Sequence, residues 1–189
     1  MSFHNLQFDT AMFAFHLWAT RHQPTQPNPT HPQPQPCACI PLLRFVSTAQ
    51  MFGYGTAGFR DKADILAPVM YRVGILAALR SRKLSKMIGV MITASHNPEP
   101  DNGAKVVDPM GEMLEASWEA HATTVANCTD VDLAAAIARI VESEGIPTDT
   151  PVSVVVARDT RPSSPALSAA VMAGIDSVRP GGTIDAGVL

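Results

Sequence analysis

Ser95 and His96 stand side by side in Thr93-Ala94-Ser95-His96-Asn97-Pro98, where the apolar run Met87 to Ala94 ends. A serine hydroxyl is a latent nucleophile, and a buried strand delivers the loop that follows it to the sheet edge where ligands of open α/β sheets gather. Pro98 disfavours helical geometry at Asn97, so the tract is expected to form a defined, non-helical turn. A serine nucleophile also needs a base and an orienting group, and a residue adjacent in sequence rarely meets that geometry. A serine hydrolase is therefore the weakest reading of the pair, and an ordinary polar turn capped by Ser95 stays open on these residues alone. A second cluster, Arg158-Asp159-Thr160-Arg161, follows another apolar run. Alternating charges in that position form salt-bridge networks that brace neighbouring loops.

The elements that must carry these residues are legible in the apolar spacing. Ile65, Val69, Val73, Leu76 and Leu79 recur at a helical period within Asp64 to Lys83, with Pro68 tolerable only in the first turn. Met87 to Ala94 is nearly continuous in apolar residues, as a strand covered on both faces requires. Asn102-Gly103 reads as a tight turn before a short strand at Lys105-Val106-Val107. Helices are expected over about 116–127 and 130–144, a strand over 152–157, a helix over 164–177 and a last strand from Thr183. Ser163 and Ser164 read as N-cap residues of that last helix. Asp130 and Asp132 read as first-turn acids, where carboxylates suit the helix dipole. Strands alternating with helices make an α/β domain with a largely parallel sheet.

Composition excludes several classes. The chain of 189 residues has a formal charge of −3, with 16% charged residues. Nucleic-acid binding would call for a clustered basic excess, so no nucleic-acid partner is expected. The longest apolar stretches are about eight residues, short of the roughly 20 that cross a bilayer as a helix. Three cysteines do not make a disulfide framework. The chain is expected to be soluble and cytoplasmic. Residues 1–51 differ from the body. Six prolines fall between His22 and Pro36, so this extension is expected to be polyproline-like or disordered. Asp9 and the lack of a basic opening argue against a signal peptide. Cys37 and Cys39 have no second ligand pair to complete a metal site.

The Ser95 tract closely resembles the phosphoserine loop of the α-D-phosphohexomutases, in which that serine carries the transferred phosphate. Three further segments match in the same order. Tyr54-Gly55-Thr56-Ala57-Gly58-Phe59-Arg60 resembles the family's G-T-x-G-x-R segment, Asp101 to Lys105 its N-G-x-K segment, and Arg158 to Ser164 its R-D-x-R-x-S segment. Ala157 stands where the family usually has glycine. The forms Asp108-Pro109-Met110-Gly111-Glu112-Met113 and Tyr71-Arg72-Val73-Gly74 are most similar to the branch that interconverts N-acetylglucosamine 6-phosphate and 1-phosphate. The resemblance implies a first domain over 52–189, built on a single mixed, largely parallel sheet flanked by helices. It implies Ser95, His96, Lys105 and Arg60 as catalytic residues, with Gly55, Thr56, Arg60 and Asn97 at substrate or phosphate. A phosphoserine carries about −1.5 to −2 charges near neutral pH, so it needs cations beside it. Arg60, Lys105 and Mg2+ are what the resemblance supplies, the metal being held here through the Ser95 phosphate. Gly53, Gly55 and Gly58 are expected to bend their loop and bring backbone close to phosphate. Lys105 is implied as general acid or base, the alternative being a solvated strand lysine. His96 positions substrate or loop, or packs as a structural histidine. Arg158, Asp159 and Arg161 are expected to brace the active-site loops in preference to touching phosphate.

The family's metal loop, sugar-binding loop and second phosphate-binding loop have no counterpart in these residues. The chain is therefore expected to be a fragment cut at a domain edge, inactive alone and prone to self-association through exposed apolar surface. The competing reading is a non-catalytic domain that binds phosphosugar or a protein.

Overall fold

The computed structural model describes residues 50–178 and 182–188. The expectations for the Pro-rich extension and for Cys37 and Cys39 lie outside the described residues. In chain order the elements are β1 (Phe59–Lys62), a single 3-10 turn (Ala63–Ile65), α1 (Ala67–Leu84), β2 (Ile88–Ile92), β3 (Asp101–Val107), α2 (Ala116–Asn127), α3 (Asp130–Ser143), β4 (Val154–Arg158), α4 (Ser164–Val178) and β5 (Thr183–Val188). Pro68 falls in the first turn of α1, where its missing N–H costs nothing. Thr129 caps α3 by accepting the Asp132 N–H, and Asp130 and Asp132 fill its first turn.

One five-stranded mixed sheet has the order β1-β3-β2-β4-β5. β3 is antiparallel to both β1 and β2, while β2, β4 and β5 are mutually parallel. Four strands thus share one direction and β3 alone opposes them. The turn expected at Asn102-Gly103 is absent, because both residues lie inside β3. The Asn102 carboxamide has work there: its Oδ1 accepts the Gly103 N–H at 2.8 Å, and its Nδ2 donates to Ser163 Oγ and Ser164 Oγ at 2.8 and 3.0 Å. The reversal comes earlier, in the Ser95–Pro100 loop, where Asn97 N bonds Ala94 O and Asp101 N bonds Pro98 O.

The main core joins all four helices to one sheet face through Ile88, Val90, Ile92, Ala104, Val106, Val154 and Val156. On the other face Met91, Val107, Val155 and Ala157 form a smaller cluster. α1 is buried on nearly every side and crosses α4 at close range. A Cβ on Gly174 would lie 1.9 Å from the Tyr71 carbonyl oxygen, and one on Gly74 would lie 2.1 Å from that of Val171. Only glycine admits that approach.

The Asp108–Met113 segment is held from its first residue. The buried Asp108 carboxylate takes a two-pronged bond from Arg80, at 3.0 and 2.6 Å, and Arg80 also reaches Glu115 at 3.0 Å. The Arg80 guanidinium lies 4.9 Å from the Trp118 ring centre, a cation–π contact. Tyr54 closes the sheet where β1 stops short of Val106: its hydroxyl accepts the Val106 N–H at 2.9 Å. Burial pushes the Tyr54 pKa up to about 12. Tyr54→Phe strands that N–H and is expected to cost about 1–3 kcal/mol in urea unfolding, with no change in m-value. No helix among the described residues is long and apolar enough to cross a membrane.

Candidate active site

β2 and β4 are adjacent and parallel, so their carboxyl ends deliver two loops to one edge. The first holds Thr93 to Pro100 and the second Asp159 to Ser163. Asp159 N donates to Ile92 O at 3.0 Å and ties the loops at their roots. Ser95 is half-buried and sits at φ +45°, in left-handed backbone. That conformation costs a non-glycine residue about 1–2 kcal/mol, so its surroundings must hold it.

Arg161 provides much of the hold. Its Nη2 donates to the carbonyls of Ser95 and Asn97 at 3.1 and 2.9 Å, and its Nη1 to those of Pro98 and Asp101 at 2.7 and 3.2 Å. Its Nε is anchored on Asp159 Oδ2 at 3.0 Å. One guanidinium therefore gathers four carbonyls of the serine loop. In a planar trans peptide the N–H opposes the C=O, so this gathering turns the N–H groups of His96 and Glu99 away from Arg161. Arg158 departs from its neighbours. A bulge in the β4–β5 pairing brings Asp185 alongside, and Arg158 Nη1 bonds it at 3.1 Å instead of reaching the loop.

On the neighbouring side of the sheet, strand register places the cations. Arg60 pairs with Gly103, and Met91 with Lys105. Pleating then sets Arg60, Gly103, Lys105 and Met91 on one face, opposite the helices. A Cβ on Gly103 would lie 3.0 Å from Arg60 Cγ and 2.2 Å from Phe59 O, so the strand leaves room for the arginine stem. Arg60 Nη1 donates to Asn97 Oδ1 at 3.3 Å, while its buried Nε has no hydrogen-bond partner. Asn97 Nδ2 in turn donates to Asp101 Oδ2 at 3.1 Å, and Lys62 pairs with Asp101 Oδ1. Gly55 O accepts the Gly58 N–H at 2.7 Å, closing a turn that leaves Thr56 exposed. Of the three glycines expected to bend this loop, Gly58 alone takes positive φ, at +73°, while Gly55 supplies the carbonyl that closes the turn. His96 is exposed, which removes the packed-histidine alternative.

Three contributors stand inside the motif segments, but the sequence does not give their roles. Thr93 was part of the tract without a role, Asn102 read as a turn residue, and Ser164 read as a cap. In the fold Ser164 Oγ donates to Asp159 Oδ1 at 2.6 Å, and Thr93 Oγ1 donates to Asp159 Oδ2 at 2.9 Å. The partners are 66 residues apart for Thr93 and 62 for Asn102 and Ser164, beyond any local pattern.

The lower edge of the loop is pH-dependent. Bonds from Lys62 and Asn97 hold the Asp101 carboxyl below the usual carboxylate range, and Ser117 with Arg80, and His121 with Lys83, do the same for Glu115 and Glu144. A depressed folded-state pKa gives stability that is present above the unfolded value and lost as pH falls through the folded one. Thermal stability is therefore expected to fall progressively below about pH 4, and Asp101→Asn to flatten that limb, read by melting at a series of pH values.

A mixed α/β sheet thus presents a left-handed serine at paired strand ends, on an arginine-clamped loop that Arg60 reaches through Asn97. The model of the family "Phosphoglucomutase/phosphomannomutase, alpha/beta/alpha domain I" matches residues 74–130. The chain belongs to the α-D-phosphohexomutase superfamily, and its described fold is that of the family's domain I. More particularly, it is similar to the phosphoacetylglucosamine mutase of Sus scrofa, 57% identical over 122 residues, which are 65% of this chain and 22% of that enzyme. A crystal structure of N-acetylglucosamine-phosphate mutase in its product complex matches with TM-score 0.72 and 48% identity, over 85% of this chain and 28% of that one. The Aspergillus fumigatus N-acetylphosphoglucosamine mutase, in complex with GlcNAc-6P and magnesium, matches with TM-score 0.68 and 49% identity over 75% of this chain and 26% of that one. The chain thus spans about a quarter of the length of the relatives it matches.

Proposed function

We propose that this chain supplies the phosphoserine domain of a phosphoacetylglucosamine mutase, which interconverts N-acetylglucosamine 6-phosphate and 1-phosphate. The observation that carries the reading is the left-handed Ser95, held at the β2 and β4 ends by Arg161 and flanked by Arg60. Phosphoryl transfer asks a protein chiefly for position and charge neutralisation. Ser95 Oγ carries the phosphoryl group, gives it to a hydroxyl of the sugar monophosphate and receives the other phosphoryl of the resulting bisphosphate. Arg60, whose Nε is unpaired, neutralises the phosphate, with Asn97 steering the guanidinium. Lys105 moves the proton of the accepting hydroxyl, and exposed His96 positions the sugar. Gly55 and Thr56 approach the phosphate from the turn before β1. Asp159 and Arg161 brace the serine loop, and Arg158 braces β5 beside it.

The named relatives support the sugar, and the magnesium of the Aspergillus fumigatus complex supports Mg2+ as cofactor. Among the described residues no group of three or more His, Cys, Asp or Glu could hold a metal ion. The ligand we propose for this domain is the Ser95 phosphate, with the remaining magnesium ligands supplied by the rest of the enzyme. The isolated chain is accordingly expected not to turn over. The test is to splice residues 52–188 in place of the first domain of a whole phosphoacetylglucosamine mutase. Turnover of N-acetylglucosamine 6-phosphate is expected, and a folded, inactive chimera contradicts the reading.

We further propose a cytoplasmic location and self-association of the isolated chain. Supporting the second, Ile184 and Val188 on β5, one of the two edge strands among the described residues, are 38% and 54% exposed. An apolar strand edge pairs readily with another copy. Sizing chromatography is expected to show concentration-dependent association that Ile184→Lys reduces. A monodisperse monomer at all concentrations contradicts it.

A further inference from the structure

Only two non-glycine residues among those described have positive φ, Ser85 and Ser95. The bonds around Ser95 have a fixed sense. An ionised Asp159 can only accept, so the Thr93 hydroxyl must spend its single proton on Asp159 Oδ2, 2.9 Å away. That leaves Thr93 Oγ1 a lone pair, which accepts the Ser95 N–H at 3.0 Å. Asp159 is itself pinned by Ser164 Oγ at 2.6 Å, by the Arg161 N–H at 3.1 Å and by Arg161 Nε at 3.0 Å. Ser164 is oriented from β3 by Asn102. The Ser95 carbonyl accepts from Arg161 Nη2 at 3.1 Å. Both ends of Ser95 therefore return to one carboxylate, the amide through Thr93 and the carbonyl through Arg161.

We propose that Thr93 is a positioning residue: its hydroxyl, oriented by Asp159, holds the Ser95 amide and with it the left-handed backbone that presents the serine side chain. Its purpose rests on Ser95 being the phosphoacceptor, but its geometry is testable with neither phosphate nor turnover. Thr93 is 4% exposed, so packing must be separated from hydrogen bonding. Thr93→Val keeps the shape and removes the relay, whereas Thr93→Ser keeps the relay and removes the methyl.

The experiment compares the full chain with both variants by NMR, reading amide exchange at Ser95 and the backbone carbon shifts that report left-handed φ. The unmodified chain is expected to protect the Ser95 amide. Thr93→Ser retains that protection, while Thr93→Val loses about tenfold or more, together with the left-handed shift, with β2 and β4 amides unchanged. Unchanged protection in Thr93→Val overturns the proposal, as does an equal loss in Thr93→Ser. If Thr93→Val fails to fold, the other two samples decide: an unprotected Ser95 amide in the folded unmodified chain overturns it, and protection shared with Thr93→Ser upholds it. An intact relay around a Ser95 that never accepts phosphate leaves this inference standing and removes the phosphoacceptor reading instead.

Discussion

Ser95→Ala in the chimera is expected to abolish mutase turnover, by about a thousandfold or more, while the protein stays folded. The loop is held by contacts to the Ser95 amide and carbonyl, so removal of Oγ leaves the Thr93 and Arg161 bonds in place. Alanine keeps the left-handed strain and gains none. The loss should therefore fall on kcat, with KM for the sugar phosphate nearly unchanged, because a missing nucleophile removes the covalent path and leaves the binding groups. Steady-state kinetics with a melting curve for each protein checks this. Equal kcat in the two proteins would mean that the phosphoryl group travels without Ser95.

Gly174→Ala is expected to have the largest effect on the fold, about 3 kcal/mol or more, with loss of a cooperative transition at moderate temperature. The added carbon would sit 1.9 Å from the Tyr71 carbonyl oxygen and 3.2 Å from Gly74 Cα, both on the backbone of α1. A flexible side chain could swing aside from such an overlap; a helix backbone cannot. Relief requires α1 and α4 to separate, and α1 is the helix against which the sheet, α2 and α4 all pack. Denaturant unfolding measures the loss. A variant within about 0.5 kcal/mol of the parent would show that the crossing is looser than described.

The elements were legible because their apolar residues repeat at the right periods. The helices at Ala116–Asn127 and Ser164–Val178 and the buried strands at Ile88–Ile92 and Val154–Arg158 came within a residue or two. Asn102-Gly103 misled, since its local chemistry suits a turn while its actual partners, Ser163 and Ser164, are some sixty residues away. The opposed direction of β3 was invisible for the same reason. At the site, Ser95, Arg60 and Lys105 were legible as motif members, and the bracing expectation for the Arg158 cluster was drawn from charge alternation. What charge alternation could not tell is which arginine turns where. Arg161 finds four carbonyls of the serine loop, while Arg158 is captured by Asp185 through a bulge. Nor could it reveal that Thr93 is joined to that network.

The most direct test of the central claim is to locate phosphate on the chimera after incubation with hexose 1,6-bisphosphate and Mg2+, by mass spectrometry of its peptides. One phosphoryl group on the Ser95 peptide, absent in Ser95→Ala and discharged on adding N-acetylglucosamine 6-phosphate, is the predicted result. An active chimera whose Ser95 peptide never carries phosphate, or carries it without discharging it, would contradict the account.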